Sequence, residues 1–358
     1  MPTQTTRAIG LMSGTSLDGV DVAWLETDGH TIIKFGPAAT LHFEATLRAD
    51  LRRLLDLAPT LSLDDPFLRD VEKRLTQDHA IAVGLVGLSA DIIGFHGQTI
   101  LHAPDLHRTW QIGDAALLAH ICRIPVVHDF RSADVAAGGQ GAPLAPLFHA
   151  AMAASLPKPL LIINIGGVAN ITWLGEEPEQ IIACDAGPGN GPLDDLAQKF
   201  LGQPYDKDGA LAASGTVDDA RLATLLAHPY FAKPAPKSLD RLTFSALIAE
   251  ATANLSPADA AATLAAFCVA AIAQTPLPAP PLRVLVCGGG RKNPIIMAGL
   301  ARAFDVPVDS VEAVGWDGDT LEAQCFAFLA VRSLQGLPLS LPTTTGVSHP
   351  LTGGKLTE

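Results

Sequence analysis

Short runs of β-branched and other apolar residues recur along the chain, separated by longer stretches rich in Ala and Leu. Residues 31–33, 92–95, 125–127, 160–163 and 284–286 read as strands, since such runs bounded by turn formers suit a pleated, buried surface. Residues 114–122 and 256–273 read as helices. The second opens with Ser256 as N-cap, Pro257 in the first turn and Asp259 where its charge suits the helix dipole. Apolar strands bounded by glycine-rich loops and followed by helices predict an α/β fold with sheets covered on both faces.

The first segment breaks that alternation. An apolar run at 8–12, a glycine turn over 13–19 and an alternating run at 20–25 predict a β-hairpin. A Rossmann or P-loop site needs a helix at that place, so neither is expected. Pro-containing stretches near Pro204, 229–236 and 276–281 read as surface loops. A chain of 358 residues is more than one compact core usually holds, which favours two domains. The boundary is expected near 130–135, ahead of the glycine-rich loop 138–143. That gives a first domain of 1–130 joined by about 336–358, and a second of 131–335.

The 48% apolar content and mean hydropathy of +0.28 exclude global disorder. Lys and Arg number 24 against 37 Asp and Glu, for a net charge of −13. No basic cluster offers a face to nucleic acid or to an anionic membrane, so neither partner is expected, although local cations can still hold an anionic ligand. Five cysteines lie far apart without CxxC or zinc spacing, which points to free thiols in a reducing compartment. Residues 1–7 lack the apolar core of a signal peptide, and the longest nearly apolar stretch, 260–273, is shorter than the roughly 20 residues that span a bilayer. A cytoplasmic protein is expected.

Four glycine-rich loops each follow an apolar strand: 13–19, 166–170, 185–191 and 287–293. Glycine lets backbone N–H groups approach a phosphate closely, and successive amides form an anion-binding nest. Any one loop is equally a tight turn; four of them favour a nucleotide cleft between two domains. Thr15 and Ser16 either donate hydroxyls to a phosphate or cap their own turn. Asp18 and Asp21 are candidates to order a hydrated Mg²⁺, with ordinary turn chemistry the preferred alternative for Asp21. Asp185, at the mouth of an apolar strand, is either a general base or a loop-bracing carboxylate. His96 and Gln98 could donate to a polyhydroxylated ligand, against a structural role. Arg131 and Asp134 either read a substrate's carboxylate and hydroxyl or brace a hinge. Glu322 closes an apparent capping box with Asp319, a structural role on spacing alone.

Seven stretches together carry a family resemblance: 10–21 (GLMSGTSLDGVD), 94–99 (GFHGQT), 129–134 (DFRSAD), 137–144 (AGGQGAPL), 164–170 (NIGGVAN), 185–190 (DAGPGN) and 317–323 (DGDTLEA). With 237–241 and the ending 341–346, the chain resembles the anhydro-N-acetylmuramic acid kinases from residue 8 to about 347. The resemblance implies the sugar kinase, Hsp70 and actin superfamily, with two RNase H-like (actin-like ATPase) domains around a central nucleotide cleft. It implies ATP contacts from Gly14, Thr15, Ser16, Leu17, Asp18, Gly19, Val20 and Asp21. Further contacts are implied from Gly167, Asn170, Gly187, Gly189, Asn190, Gly288, Gly289 and Gly290. Asp185 becomes the catalytic base, with His96, Gln98, Arg131, Asp134 and Glu322 on the sugar and Mg²⁺ reached through water by Asp18. A homodimer is implied as well.

Two departures stand out. Ala186 replaces the usual threonine, which removes a hydroxyl beside Asp185. Met12 and Ser13 precede the Gly-Thr pair where the wider superfamily often carries an Asp; this family shares that feature, so a metal's carboxylate must come from elsewhere. The implied reaction opens 1,6-anhydro-N-acetylmuramate with water and phosphorylates O6, giving N-acetylmuramate 6-phosphate and ADP in peptidoglycan recycling. The rivals are a kinase of the same superfamily acting on another sugar or acid, and a nucleotide-gated binding protein without transferase activity. A dinucleotide-dependent oxidoreductase is least favoured, because no convincing strand-end acidic residue follows the 185–191 glycines at the spacing of about 20 positions that a ribose requires.

Overall fold

The alternation read from the sequence builds two sheets of the same topology. A computed structural model describes residues 5–14, 16–240 and 243–358. The chain divides into two units, Met1–Ala154 with Thr320–Glu358, and Ser155–Asp319.

In the first unit, β1 (Thr6–Ser13), β2 (Gly19–Thr27) and β3 (Ile32–His42) form an antiparallel meander. β4 (Ile92–Ala103) then lies parallel to β1, and β6 (Val126–His128) parallel to β4. β5 (Arg108–Ile112) pairs with β4, and the C-terminal strand Lys355–Thr357 covers β6. The expected hairpin is present, with Thr6 opposite Thr27 and Met12 opposite Asp21.

The second unit repeats the plan. β7 (Leu160–Ile165), β8 (Val168–Leu174) and β9 (Ile181–Pro188) form a meander, while β10 (Arg283–Cys287) and β11 (Val308–Ser310) continue parallel from β7. Three meandering strands followed by two parallel ones on the far side of the first is the RNase H-like arrangement, here formed twice. The expected fold class is borne out.

Both helix readings hold. Asp114 caps Ala115–Cys122 by accepting from the Leu117 N–H, and Ser256 caps Pro257–Ala273 by accepting from Asp259. Each unit has its own core. Ile9, Leu11, Val22, Trp24 and Phe95 pack with Leu51, Val71 and Leu75 in the first; Ile163, Ile171 and Val286 pack with Leu264 and Phe267 in the second. All five cysteines are free thiols. Among the described residues, no helix is long and apolar enough to cross a membrane.

The division of the chain differs from the expected one at both crossings. Residues 131–154 stay with the first unit because Asp134 accepts from the Gly141 N–H and the Thr345 hydroxyl. The helix Leu321–Leu334 also belongs there, seated on the backbone of β1 and β4 at Gly10 and Gly94. A helix that reads as a continuation of the second half thus packs on the sheet of the first.

Two histidines inside the first unit make its stability sensitive to acid. His79, fully buried in the helix Pro66–Val86, has Nδ1 2.8 Å from the Leu75 carbonyl and its ring edge-on to Phe95. Burial lowers the pKa of His79 and of His149 to about 4. Below pH 6.5 the unfolded chain takes up protons that the folded chain refuses until about pH 4, so their contribution is complete above pH 6.5 and is lost across that window. Denaturant unfolding at pH 7, 5.5 and 4.5 should show a loss on the order of 3 kcal/mol per histidine by the lower limit. His79→Leu should reduce the slope; an unchanged slope would reject the assignment.

Candidate functional site

In the second unit, three of the four glycine loops interlock at one end of the sheet. The Gly189 N–H donates to the Gly167 carbonyl at 3.0 Å, the Asn190 N–H to Gly166 at 2.7 Å and the Gly191 N–H to Gly167 at 3.3 Å. Gly288 closes the set from β10 with φ +74; a Cβ there would stand 2.3 Å from Asn164 Oδ1 and 2.6 Å from the Ile165 carbonyl. At Gly189 a Cβ would stand 2.3 Å from the Gly166 carbonyl. These glycines are required by the approach of the loops to one another, whatever else their amides bind. Asn190 lies across Gly289 and Gly290, and its buried Oδ1 has no hydrogen-bond partner among the described residues.

Asp185 sits at the rim of this set, 8% exposed, on a β-bulge. Ala169 is opposite Gly187 while Asn170 is opposite Asp185, so Ala186 is the extra residue. Bulges re-aim the side chains beside them. A polar row runs across the sheet here: Asn164 on β7 faces Asn170 on β8, which faces Asp185 on β9. The segment after Tyr230 then grips the aspartate. Its N–H donates to the Lys237 carbonyl at 2.9 Å, its carbonyl accepts from the Tyr230 hydroxyl at 2.7 Å, and its Oδ2 accepts from the Leu239 N–H at 2.7 Å. Lys237 is itself buried, with Nζ 4.5 Å over the Tyr230 ring and a pKa lowered by burial. Asn164 and the Leu239 N–H are parts of the site that residue-type reasoning missed. Ala186 is fully buried in the apolar cluster, so its methyl faces the core and not the loops.

In the first unit the hairpin loop is shorter than expected. Gly14, Ser16 and Asp18 form the turn, closed by the Leu17 N–H donating to the Gly14 carbonyl at 3.1 Å; Thr15 lies outside the described residues. Leu17 takes φ +58 and, with Val20, sends its side chain into the core. Gly19, Val20 and Asp21 belong to β2, paired with His42, Leu41 and Thr40, and the Asp21 carboxylate accepts from the Thr40 hydroxyl at 2.6 Å. A strand pair that engages their backbone leaves these three outside the turn. Asp18 is ion-paired with Arg48 at 3.1 Å, with more than half of its side chain exposed.

The residues expected on the sugar divide into two groups. His96 and Arg131 come together: Arg131 Nε donates to His96 Nε2 at 2.9 Å, and the His96 ring lies 4.5 Å from that of Phe326, on the helix that also carries Glu322. Gln98 and Asp134 point elsewhere. Gln98 is fully buried beside β1, opposite Ser13, and Asp134 is 3% exposed with both carboxylate oxygens bonded within the protein. Both are buried, as His96 is at 4% exposure, and Asp134 is held by partners within the unit. The capping box at 319–322 is absent. The helix begins at Leu321 with Thr320 as N-cap, and Asp319 pairs instead with Lys292 at 2.7 Å and Arg291 at 3.1 Å. Glu322 is thereby left exposed in the first turn.

Two RNase H-like units, a glycine-turn hairpin opening the first and interlocked glycine loops at the strand ends of the second are the fold that the sugar kinase, Hsp70 and actin class is expected to have. Sequence comparison narrows this. The profile of the anhydro-N-acetylmuramic acid kinase family matches residues 6–358. An anhydro-N-acetylmuramic acid kinase of Acidiphilium cryptum is 67% identical over 349 residues, covering 98% of this chain and 97% of that protein. Those of Rhodospirillum rubrum and Gluconobacter oxydans are each 53% identical, covering 97% of this chain and 93% and 99% of their own lengths. The chain belongs to the anhydro-N-acetylmuramic acid kinase family, as the resemblance of its motifs implies.

Proposed function

We propose that this protein is an ATP-dependent kinase that opens 1,6-anhydro-N-acetylmuramate and phosphorylates its O6. The observation that carries the reading is Asp185, held by three hydrogen bonds on a bulge at the rim of the interlocked glycine loops. A carboxylate fixed in direction beside phosphate-binding amides suits a base that activates water. Asp185 takes a proton from water, whose oxygen bonds to the anomeric carbon as the bond from that carbon to O6 breaks. The released O6 attacks the γ-phosphorus of ATP, the bond to the β-phosphate oxygen breaks, and ADP leaves. Loop amides stabilise the charge on the transferring group. The proton on Asp185 passes to solvent.

Arg131 supplies the cation for the lactyl carboxylate, which an acidic protein must provide locally. Glu322, exposed in the first turn of its helix, is a further sugar contact proposed from the first unit. Mg²⁺ is proposed to arrive on the nucleotide. The buried, unpartnered Asn190 Oδ1 is an acceptor of the kind a metal-bound water donates to, and Asp18 is held from that role only by an exposed ion pair of small worth. When bound, the metal offsets phosphate charge. A cytoplasmic location and a homodimer complete the proposal, the latter on the family resemblance and because twofold pairs are the commonest assembly.

The test is ADP release with Mg²⁺-ATP and, in turn, 1,6-anhydro-N-acetylmuramate, N-acetylmuramate and N-acetylglucosamine in ¹⁸O-water. Turnover is expected on the anhydro sugar alone, with one solvent oxygen at the anomeric position of the product. Turnover without the label would reject water activation, and turnover on none of the three would reject the substrate.

A further inference from the structure

Two motifs, the glycine loop 137–144 and the ending 341–346, have no part in the reaction as described. The structure joins both to Arg131 through one buried polar chain within the first unit. At its far end Thr345, fully buried, donates its hydroxyl to Asp134 Oδ2 at 2.6 Å. Asp134 Oδ1 accepts from the Gly141 N–H at 2.6 Å, and the Gly139 N–H donates to the Asp134 carbonyl at 2.9 Å. The loop wraps the carboxylate so closely that a Cβ on Gly139 would stand 2.2 Å from Oδ1. The Gln140 N–H returns to the Thr345 carbonyl at 2.7 Å. A buried carboxylate is costly unless its acceptors are filled, so Asp134 holds loop and ending together.

The chain then reaches the guanidinium. The Gly141 carbonyl accepts from Arg131 Nη1 at 2.7 Å, and His96 Nε2 accepts from Arg131 Nε at 2.9 Å. His96 Nδ1 lies 2.7 Å from the Gly97 carbonyl, so the tautomer that donates there leaves Nε2 as acceptor. Burial, with Arg131 adding to it, keeps the ring neutral, as an acceptor must be. Two acceptors at an angle fix the plane and the direction of the guanidinium, and bidentate recognition of a carboxylate depends on both.

We propose that Thr345, Asp134 and His96 are positioning residues that set Arg131 for the lactyl carboxylate, and so make the kinase selective for a carboxylated sugar. The inference rests on the reading of Arg131 as the cation for that group. It is tested on the full chain with steady-state kinetics for 1,6-anhydro-N-acetylmuramate and for 1,6-anhydro-N-acetylglucosamine, which lacks the lactyl group. Thr345→Val is expected to raise KM for the carboxylated sugar about tenfold while KM for the other sugar and for ATP stays within about twofold. Thr345→Ser should restore the wild-type value, and Thr345→Val should add nothing in an Arg131→Ala background.

Equal losses on both sugars, or full additivity with Arg131→Ala, would overturn the inference. If Arg131→Ala keeps the preference for the carboxylated sugar, the reading of Arg131 fails. If Arg131→Ala loses the preference and a folded Thr345→Val keeps it, the positioning chain alone fails. Should Thr345→Val not fold, His96→Leu with His96→Gln as its hydrogen-bonding control puts the same question from the other end.

Discussion

Asp185→Asn is expected to lower kcat on the anhydro sugar by about 10²- to 10⁴-fold, with KM for ATP and thermal stability little changed. The substitution is nearly isosteric. Both backbone contacts of the residue, to the Lys237 carbonyl and from the Tyr230 hydroxyl, are indifferent to the side chain. An asparagine Oδ1 can still accept from the Leu239 N–H that now binds Oδ2. What asparagine lacks is the capacity to take a proton from water. The loss should therefore fall on the chemical step and leave the interlocked loops at 166–167, 187–191 and 288–290 able to hold nucleotide. Single-turnover kinetics with nucleotide titration on the same sample separates the two. A fall in kcat of less than about tenfold would place the base elsewhere, and lost nucleotide binding would show that Asp185 braces the loops.

Much of this was legible in the chain because it is local. A glycine turn between two apolar runs specifies a hairpin, and Ser256 or Asp114 before an apolar stretch specifies a helix start; the structure has all three. Glycine loops after strands were likewise readable as a set. What escaped depends on residues far apart or on backbone groups. The Leu239 N–H that orients Asp185 is 54 residues away and carries no residue-type signal. Thr345 meets Asp134 across 211 residues, a pairing that no local pattern announces. Leu17 stands within a glycine loop, yet its positive φ turns an apolar side chain into the core. The one-residue shift at Ala186 settles which side chains share a face with Asn170, and only the pairing register reveals it.

Gly10→Ala is expected to be among the most damaging small substitutions, on the order of 3 kcal/mol, or roughly 6–12 °C in Tm for a unit of this size. A Cβ on Gly10 would stand 1.8 Å from the Ala323 carbonyl oxygen and 2.5 Å from the Ala327 nitrogen, both backbone atoms of the helix Leu321–Leu334. A Cβ on Gly94, its register partner on β4, would stand 2.0 Å from the Phe326 carbonyl oxygen. Neither clash can be relieved by a rotamer, so the helix must lift. Lifting it withdraws Phe326 from the His96 ring, 4.5 Å away, and so loosens the acceptor that orients Arg131. KM for the anhydro sugar should accordingly rise more than KM for ATP in any Gly10→Ala protein that remains folded. Gly94→Ala should behave alike, and the two should fall short of additivity, because a helix lifted for one methyl makes room for the other. Differential scanning calorimetry of the two single variants and the double measures that coupling. Additive losses would mean two independent clashes and would sink the account of one displaced helix.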